Sequence, residues 1–458
     1  MAHRPPARAA ASAAALVVLL AGAAAGSFAI GASGTADPPG MAGTIGARDG
    51  DLTGEDVDAI VRHGPWPVAF EPDRSNRASG RPAAVALGRR LFVDTGLSRT
   101  GTVSCASCHR PELGFTDGRA RGVGIEGLDR NTPSLLDARL QHWFGWDGGS
   151  DSLWAFNVRP LLDPREMGAD AVRVARRVAA EPGLACLYRK AFGAAPGAAP
   201  ADRVLVDAAK ALAAFVETLD SGRTVFDDFR DALARGEPPA QAASAAGYPA
   251  DATRGLRLFV GRGRCNLCHL GPQFSNGEFH DIGRPFMAAP GRPDPGRLGG
   301  IRAVLADPLN LLGAHSDDAS RATAVRTRHV AATHRNFGEF KVPTLRGLSR
   351  TAPYMHDGSL STLRDVLRHY SELDVDRLHS DGEALLVPLR LTPRETDELL
   401  AFLATLSTPS TARGSVAAGS AELPGTVGAA DSLGTVGAAD SPGTAAGRAS
   451  GEACPTGP

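Results

Sequence analysis

The strongest constraint on this chain is a five-residue pattern, Cys-x-x-Cys-His, that occurs twice. It reads C-A-S-C-H at residues 105–109 and C-N-L-C-H at residues 265–269. Two thiols three positions apart lie on neighbouring turns and can form thioether bonds with the two vinyl groups of one haem. The next histidine then lies under the iron as its proximal ligand. We therefore predict two covalent haem c groups, held by Cys105, Cys108 and His109 and by Cys265, Cys268 and His269.

A structural zinc site is the alternative for paired Cys-x-x-Cys patterns. The two halves of such a site usually lie about 15–20 residues apart. Here the whole of residues 109–264 separates them, and each is followed at once by histidine. Both observations favour haem over zinc.

The two patterns belong to a duplicated unit. The sequence R-L-F-V precedes the first pattern at residues 90–93 and the second at residues 257–260, and apolar residues before the first pattern have helical spacing. We expect a mainly α fold with two tandem cytochrome-c-like domains, each binding one haem. The predicted bounds are residues 51–247 and 248–408, with the Pro- and Ala-rich residues 236–247 as the linker.

Three further helices are predicted from apolar spacing and capping signals. The first follows Ala201, with Leu205, Leu212 and Phe215 among the apolar residues of one face. The second begins after Thr362, and its apolar face includes Tyr370. The third begins at T-P-R-E, residues 392–395, which combines a capping box with proline at the first helical position.

Both ends of the chain have compositions that do not predict a packed core. Arg4 and Arg8 precede an apolar, alanine-rich run, so residues 1–30 are interpreted as a secretory signal peptide, with an uncleaved anchor as the alternative. Residues 409–458 are rich in Gly, Ala, Ser, Thr and Pro, and we expect them to be disordered. The mature protein is expected in the periplasm, without stable membrane insertion.

The other cysteines and the net charge are less informative. The position of Cys454 in the tail favours two unrelated cysteines over a Cys186–Cys454 disulfide. The formal net charge of -1 gives no support to nucleic-acid binding. Residues 122–127 match G-x-G-x-x-G, but no apolar strand precedes them and no helical pattern follows, which argues against a dinucleotide site.

Two residues are candidates for the distal ligand of the second haem iron. Tyr370 could coordinate through its phenolate, although helical spacing alone favours an ordinary buried tyrosine. Met355 could supply a thioether, which often pairs with histidine in electron-transfer haems, or it could simply fill the core.

A series of ordered motifs between residues 81 and 406 identifies a family. In chain order they are C-A-S-C-H-R-P-E-L-G-F-T-D-G, R-N-T-P-S, W-D-G, R-P-L-L-D-P-R-E-M-G, C-N-L-C-H, K-V-P-T-L-R and T-A-P-Y-M-H-D-G. With these motifs the chain resembles the bacterial di-haem cytochrome c peroxidases and their MauG-type relatives.

The resemblance implies roles for particular residues. The haem of His109 would be peroxidatic, and the haem of His269 would transfer electrons. Glu166 matches the distal acid–base residue and Pro160 a residue that lines the same pocket. Trp146 matches the family's electron relay between the haems.

The resemblance also implies metal ligands. Asn131, Thr351 and Pro353 match positions that hold a calcium ion between the domains, a metal that prefers oxygen ligands. Tyr370 matches the distal ligand of the second haem, which is methionine in many of the peroxidases and tyrosine in MauG-type enzymes. The resemblance therefore favours Tyr370 over Met355.

The chain departs from the family at two positions. Ile125 stands where peroxidases that need reductive activation have a histidine, and His142 is not at that position. The first haem is therefore expected to be five-coordinate. Phe156 stands where the family usually has glutamine, so an amide that could hydrogen-bond peroxide is replaced by an apolar ring.

These residues predict a periplasmic peroxidase that reduces hydrogen peroxide with electrons from a small cytochrome c or a copper protein. Glu166 would move a proton from the inner to the outer peroxide oxygen by general acid–base catalysis. A MauG-like enzyme that oxidises side chains of a protein partner is the first alternative. A non-catalytic di-haem electron carrier is the second.

Overall fold

The computed structural model describes residues 52–284, 287–378, 385–408 and 454–455, and the chain is mainly helical there, as predicted. The signal-peptide prediction for residues 1–30 lies outside the described residues, as does the tail prediction apart from Cys454 and Pro455. No helix within the described ranges is long and apolar enough to cross a membrane.

Fourteen α-helices occur in the described ranges. In chain order α1 to α14 are Gly54–Val61, Pro82–Val93, Cys105–Cys108, Leu153–Leu162, Ala171–Ala180, Pro182–Phe192, Ala201–Val216, Val225–Ala234, Pro239–Ala246, Ala250–Val260, Arg297–Ala306, Val325–His329, Leu363–Ser371 and Pro393–Ala404.

Four very short strands form two antiparallel pairs. The strands β1 to β4 are Phe279–His280, Met287–Ala289, Arg292–Pro293 and Phe340–Lys341. Strand β1 pairs with β4, so that His280 lies opposite Phe340, and β2 pairs with β3. The β1–β4 pair brings the K-V-P-T-L-R motif beside the chain that follows the second haem pattern.

Local capping signals set the helix starts that the sequence predicted. Thr392 accepts a hydrogen bond from the backbone N–H of Glu395, and the Glu395 carboxylate accepts from the N–H of Thr392. Thr362 and Asp365 make the same reciprocal pair at the start of α13. Both predicted helices are confirmed, because each capping box satisfies N–H groups that the helix leaves free.

The internal repeat corresponds to two helix crossings. Helix α2 packs on α7, and α10 packs on α14. A Cβ atom added to Gly88 in α2 would lie 2.0 Å from the Ala211 carbonyl oxygen, and one added to Gly255 in α10 would lie 1.9 Å from that of Glu398. Each glycine stands just before an R-L-F-V sequence, so the repeat includes the residue that allows the helices to approach closely.

Helix α7 is buried on all sides, whereas the sequence analysis predicted one buried face. Its residues from Val204 to Val216 are all buried, and they include Asp207 and Lys210. Asp207 pairs with Arg77 at 2.9 Å, and Lys210 pairs with Asp317 at 2.5 Å. The partners of these charged residues come from distant parts of the chain and allow their burial.

Residues 236–247, interpreted as a linker, instead contain helix α9. Proline at its first position and a run of alanine favour a helix, and Ala242 is fully buried. Helix α9 belongs to a hydrophobic cluster that also contains Ile60, Phe226 and Leu256. A larger cluster contains Leu87, Trp154 and Leu212. The domain bounds 51–247 and 248–408 stay a prediction.

The expectation for Cys186 and Cys454 was wrong, because they form a disulfide. The disulfide joins Cys454 to α6, and the Pro455 carbonyl accepts a hydrogen bond of 3.1 Å from Arg90 of α2. A Cβ atom added to Gly183 would lie 2.5 Å from that carbonyl oxygen. Composition gave no indication of the disulfide, because the disulfide joins residues 268 positions apart.

Candidate active site

The first haem pattern lies on the short helix α3. Its start is capped by Ser104, whose N–H donates to Ser107 Oγ at 3.0 Å. His109 follows directly, and its Nδ1 lies 2.9 Å from the carbonyl oxygen of Phe115. A carbonyl can only accept, so Nδ1 carries the proton and Nε2 is left as the metal-binding nitrogen.

The second haem pattern repeats this arrangement. Cys265–Leu267 form a single 3₁₀ turn, and His269 Nδ1 lies 2.9 Å from the carbonyl oxygen of Phe274. Phe115 and Phe274 both have positive φ, at 60° and 52°. This region is uncommon for a bulky residue. In both loops the residue with positive φ is the one whose carbonyl accepts the hydrogen bond from the proximal histidine.

A cavity of about 290 Å³ lies beside the second pattern. Cys265, Cys268 and His269 line it, and Tyr370 from α13 also lines it. Burial raises the pKa of Tyr370 above its ordinary value, and the two cysteines raise it further while Arg284 lowers it. A phenolate at Tyr370 therefore needs a nearby metal cation to be stable.

Met355 lines the same cavity, so the structure brings both candidate ligands to the second site. Met355 lies in a turn with φ of 74°, whereas Tyr370 lies on a regular helix. The cavity thus has the donor set that haem c requires: two thiols and an imidazole, with a distal phenol or thioether. None of the four pattern cysteines is in a disulfide.

Glu166 lies in a tight turn that follows α4. Its N–H donates to the Asp163 carbonyl at 3.0 Å, and the N–H of Met167 donates to the Pro160 carbonyl at 3.1 Å. Burial raises the pKa of Glu166 to about 7; Asp163 adds to the rise, and Arg159 and nearby Arg165 oppose it. A carboxyl group with this pKa can both take up and release a proton at neutral pH.

The structure brings Glu166 to the first haem pattern. Burial raises the pKa of Cys105 to about 12 and that of Cys108 to about 11. In both cases the negative charge of Glu166 contributes to the rise, so the carboxylate lies within electrostatic range of both thiols. Residues 123–125 connect the two, since the Val123 carbonyl lies 3.4 Å from Cys108 Sγ and the N–H of Ile125 donates to the Glu166 carbonyl at 3.0 Å.

Pro160 and Phe156 lie one helical turn apart in α4. Proline has no N–H, so Pro160 cannot donate to the carbonyl of Phe156 as an ordinary helical residue would. The Phe156 ring packs against the larger hydrophobic cluster, with its centroid 6.2 Å from that of Phe144. The position that is usually glutamine in the family is thus an apolar contact in this chain.

Trp146 lies on the wall of the cavity at the second site. Its Nε1 donates to the Asn131 carbonyl at 2.9 Å, and its own carbonyl accepts from the N–H of Lys341 at 2.8 Å. Ser134 lines the same cavity and donates to the Gly114 carbonyl at 2.7 Å, in the loop after the first haem pattern. The wall that carries Trp146 therefore reaches the first site.

The three residues matched to a calcium ion also line this cavity. Asn131 donates from Nδ2 to the Arg119 carbonyl at 2.8 Å, and Thr351 donates to the Leu348 carbonyl at 3.2 Å. The described residues contain no cluster of three or more His, Cys, Asp or Glu side chains that could hold a metal. A calcium ion here would depend on neutral oxygen ligands such as those of Asn131, Thr351 and Pro353.

Two structural features of the site were missed by sequence reasoning. One is the pair Phe115 and Phe274, which could have been found because each follows its Cys-x-x-Cys-His pattern at nearly the same distance. The other is Arg130, which pairs with Asp147 of the W-D-G motif and with Asp294, both at 2.7 Å. No sequence signal indicated this network, because its members come from three separate segments.

Comparison with known proteins shows the family of this chain. Residues 82–234 match the family described as di-haem cytochrome c peroxidase. The methylamine utilization protein MauG of Methylorubrum extorquens is 36% identical over 358 residues, which are 78% of this chain and 86% of that protein. The chain belongs to the di-haem cytochrome c peroxidase and MauG family.

Other relatives extend the comparison. The cytochrome-c peroxidase IdrP2 of a Pseudomonas species is 31% identical over 349 residues, which are 72% of this chain and 82% of that protein. The crystal structure of the dihaem peroxidase BthA from Burkholderia thailandensis covers 76% of this chain and 91% of its own, at 22% identity and a TM-score of 0.57. The structural likeness shows a shared fold. Since its relatives are peroxidases and MauG proteins, the chain is a cytochrome c peroxidase-like oxidoreductase, and membership of the family implies two haem c groups.

Proposed function

We propose that this protein is a periplasmic di-haem peroxidase that reduces hydrogen peroxide to water. The observation that carries the proposal is Glu166, a half-buried residue whose carboxyl pKa is raised to about 7 and which lies within electrostatic range of the thiols of the first haem pattern. The electrons would come from an external redox protein, a small cytochrome c or a copper protein. Export to the periplasm agrees with the two haem-attachment patterns and with the disulfide.

Each part of the first site has a defined task in this proposal. When bound, the first haem supplies an iron that can bind peroxide and exchange electrons. Glu166 takes the proton from the inner peroxide oxygen and delivers it to the outer one, so that the outer oxygen can leave as water. Ile125 offers no imidazole as a sixth ligand, so the first site needs no activation step that would displace one.

Electron transfer between the sites is assigned to Trp146. Its indole lies on the cavity wall of the second site, and the same wall reaches the loop of His109 through Ser134. The hydrogen bond from Nε1 to Asn131 holds the ring in one orientation. Residues Asn131, Thr351 and Pro353 are proposed to bind a calcium ion on this wall.

The test is Glu166→Gln, which keeps the shape of the side chain and removes its ability to accept a proton. Removing a general acid–base group typically costs 10²–10⁴-fold, so the reaction with peroxide should slow on that scale. Stopped-flow absorbance after mixing with peroxide gives the rate, with both haems still attached by mass spectrometry. Glu126→Gln, an exposed carboxylate of a nearby loop, is the control and should react at the normal rate.

A wild-type rate in the Glu166→Gln protein would remove Glu166 from the reaction. Phe156→Gln restores the amide that the family usually has at this position. It should speed the reaction if the missing hydrogen bond to peroxide limits the rate.

A MauG-like function, oxidation of side chains in a protein partner, is the second candidate. The observation that favours it is Tyr370 in the second cavity, because MauG-type enzymes have tyrosine at the matching position. An anionic phenolate stabilises oxidised iron more than a thioether does, so it lowers the reduction potential of that haem. Such a haem is a poor acceptor of electrons from ordinary cytochromes.

Tyr370→Met separates the two candidates. The substitution should raise the potential of the second haem, produce a histidine–methionine absorption spectrum and increase steady-state turnover with reduced cytochrome c. If the oxidised spectrum of the second haem does not change, Tyr370 is not a ligand. Met355 would then take its place, and the MauG-like function would lose its main support.

A further inference from the structure

The G-x-G-x-x-G segment, residues 122–127, lies between the first haem pattern and Glu166. On one side, Cys108 Sγ lies 3.4 Å from the carbonyl oxygen of Val123. On the other side, the N–H of Ile125 donates to the Glu166 carbonyl at 3.0 Å, and the N–H of Glu126 donates to the Arg165 carbonyl at 2.8 Å. The segment therefore contacts both parts of the proposed peroxide site.

Gly124 is the point of closest approach. A Cβ atom added there would lie 2.5 Å from Glu166 Cα, 2.6 Å from the Arg165 carbonyl oxygen and 2.8 Å from that of Glu166. All three are backbone atoms, so no side-chain rotation could relieve the contact. Gly127, in the same segment, has open space at the corresponding position, with no heavy atom within 4 Å.

The turn that carries Glu166 is also held by other parts of the chain. The N–H of Arg99 donates to the Met167 carbonyl at 2.8 Å. Within the turn, the N–H of Glu166 donates to the Asp163 carbonyl at 3.0 Å. Since the segment also contacts Cys108, relief of the contact at Gly124 would shift the Glu166 backbone relative to the first haem pattern.

We propose that Gly124 is a positioning residue for Glu166. It lets residues 122–127 close against the turn, and this sets the distance between the Glu166 carboxyl group and the peroxide bound at the first site. The proposal rests on the acid–base role of Glu166. It gives the G-x-G-x-x-G segment a purpose unrelated to dinucleotides.

The size of the effect follows from the geometry of proton transfer. A proton moves efficiently only between heavy atoms within hydrogen-bond reach, about 2.6–3.2 Å. A displacement on the order of 1 Å can cost about 10²-fold in rate. Relief of a contact at 2.5 Å requires a shift approaching this size.

The experiment compares Gly124→Ala with Gly127→Ala in the full-length protein with both haems attached. The second-order rate constant for peroxide should fall at least about tenfold in Gly124→Ala and stay at the wild-type value in Gly127→Ala. Equal rates in the two variants would overturn the proposal. Haem content and the electron paramagnetic resonance spectrum of the second haem should be unchanged in both.

Two further readouts separate positioning from a general loss of structure. The pH dependence of the rate should give a different apparent pKa in Gly124→Ala than in the wild type, because the environment of the Glu166 carboxyl group changes. In a Glu166→Gln background, adding Gly124→Ala should slow the reaction no further, since there is no acid–base group left to position. If Gly124→Ala slows the Glu166→Gln protein by the same factor as it slows the wild type, Gly124 acts on another part of the site.

The outcomes also distinguish this proposal from the proposed function. If Glu166→Gln reacts normally, the acid–base role fails. If Glu166→Gln is slow but Gly124→Ala reacts normally, only the positioning role fails. Should Gly124→Ala not fold, Ile125→Pro replaces it, because proline lacks the N–H that bonds to the Glu166 carbonyl. A wild-type rate in that variant would contradict the proposal.

Discussion

The loops that follow the two haem patterns present the same group to their histidines but are supported differently. In both, a phenylalanine with positive φ directs its carbonyl at Nδ1 of the proximal histidine, at 2.9 Å. This hydrogen bond makes the imidazole a stronger donor to the metal and fixes its orientation. The two loops differ in the hydrogen bonds and ring contacts that hold Phe115 and Phe274 in place.

The first loop, residues 110–116, is held mostly by its own backbone. The N–H groups of Leu113 and Phe115 both donate to the Arg110 carbonyl, at 3.0 and 2.8 Å. From outside the loop, Ser134 donates to the Gly114 carbonyl at 2.7 Å. The Phe115 ring is half-buried, with its centroid 6.4 Å from that of Phe92.

The second loop, residues 270–275, also has backbone hydrogen bonds of its own, from the N–H groups of Phe274 and Ser275, both at 3.0 Å. Distant charged and aromatic groups hold it in addition. Arg346 donates to the Pro272 carbonyl at 2.5 Å and forms an ion pair of 2.7 Å with Asp227, both fully buried. The Phe274 ring is fully buried and stacks on His63, with centroids 4.5 Å apart and an interplanar angle of 12°. We infer that the second proximal histidine is held more rigidly, which would suit the electron-transfer role proposed for this site.

The largest expected effect comes from removing one member of the buried ion pair. Arg346→Met leaves Asp227 charged and buried, which typically costs about 3–5 kcal/mol. Denaturant unfolding should show this loss of stability. The double variant Arg346→Met, Asp227→Leu should recover most of it, because the uncompensated charge is gone. A double variant as unstable as the single one would mean that the contact with Pro272 matters more than the charge.

A smaller effect is expected from His63, because its stability contribution depends on pH. The pKa of His63 is lowered from 6.5 to about 4, mainly by burial; the hydrogen bond to the Gly271 carbonyl opposes this, and the charges of Arg346 and Arg230 contribute to it. The unfolded chain therefore binds more protons between these values, so stability falls as the pH drops from about 6.5 towards 4. The loss is at most roughly 3 kcal/mol, at about 1.4 kcal/mol per pKa unit.

His63→Phe keeps the flat ring on Phe274 and removes the titration. Unfolding free energies measured between pH 4 and 7 should vary less in this variant than in the wild type. The exposed His329 provides the control, and His329→Phe should retain the wild-type variation. Equal variation in His63→Phe and the wild type would show that other groups cause the pH dependence.

The smallest effect is expected from removing, in each loop, a hydrogen bond that a hydroxyl group outside the loop donates to it. Ser134→Ala removes the external hydrogen bond to the first loop, and Thr344→Val removes one of 2.8 Å to the Gln273 carbonyl in the second. Each should cost about 1 kcal/mol. Potentiometric titration should show a shifted reduction potential of the first haem in Ser134→Ala. The reduction potential of the second haem should be unchanged in Thr344→Val, since Arg346 and His63 still hold that loop. Equal shifts of the reduction potential in the two variants would contradict the inference that the second loop is more rigid than the first.

Much of the fold and of the site could be predicted because the signals were local. The haem patterns, the capping boxes at Thr362 and Thr392 and the repeated R-L-F-V sequence all act over a few residues. The buried helix α7 could not be predicted, since its charged residues Asp207 and Lys210 are compensated by Arg77 and Asp317 from other segments. The Cys186–Cys454 disulfide could not be predicted for the same reason.

The sequence by itself determined where the two haem-attachment patterns lie and which histidine follows each, and it indicated Tyr370 and Met355 as the candidate ligands at the second. These assignments follow from spacing along the chain, which short-range geometry controls. Only the tertiary structure decided how that chemistry is tuned. The burial that raises the pKa of Glu166, the close approach at Gly124 and the support behind Phe274 arise where distant segments pack, and desolvation and close contact depend on that packing alone.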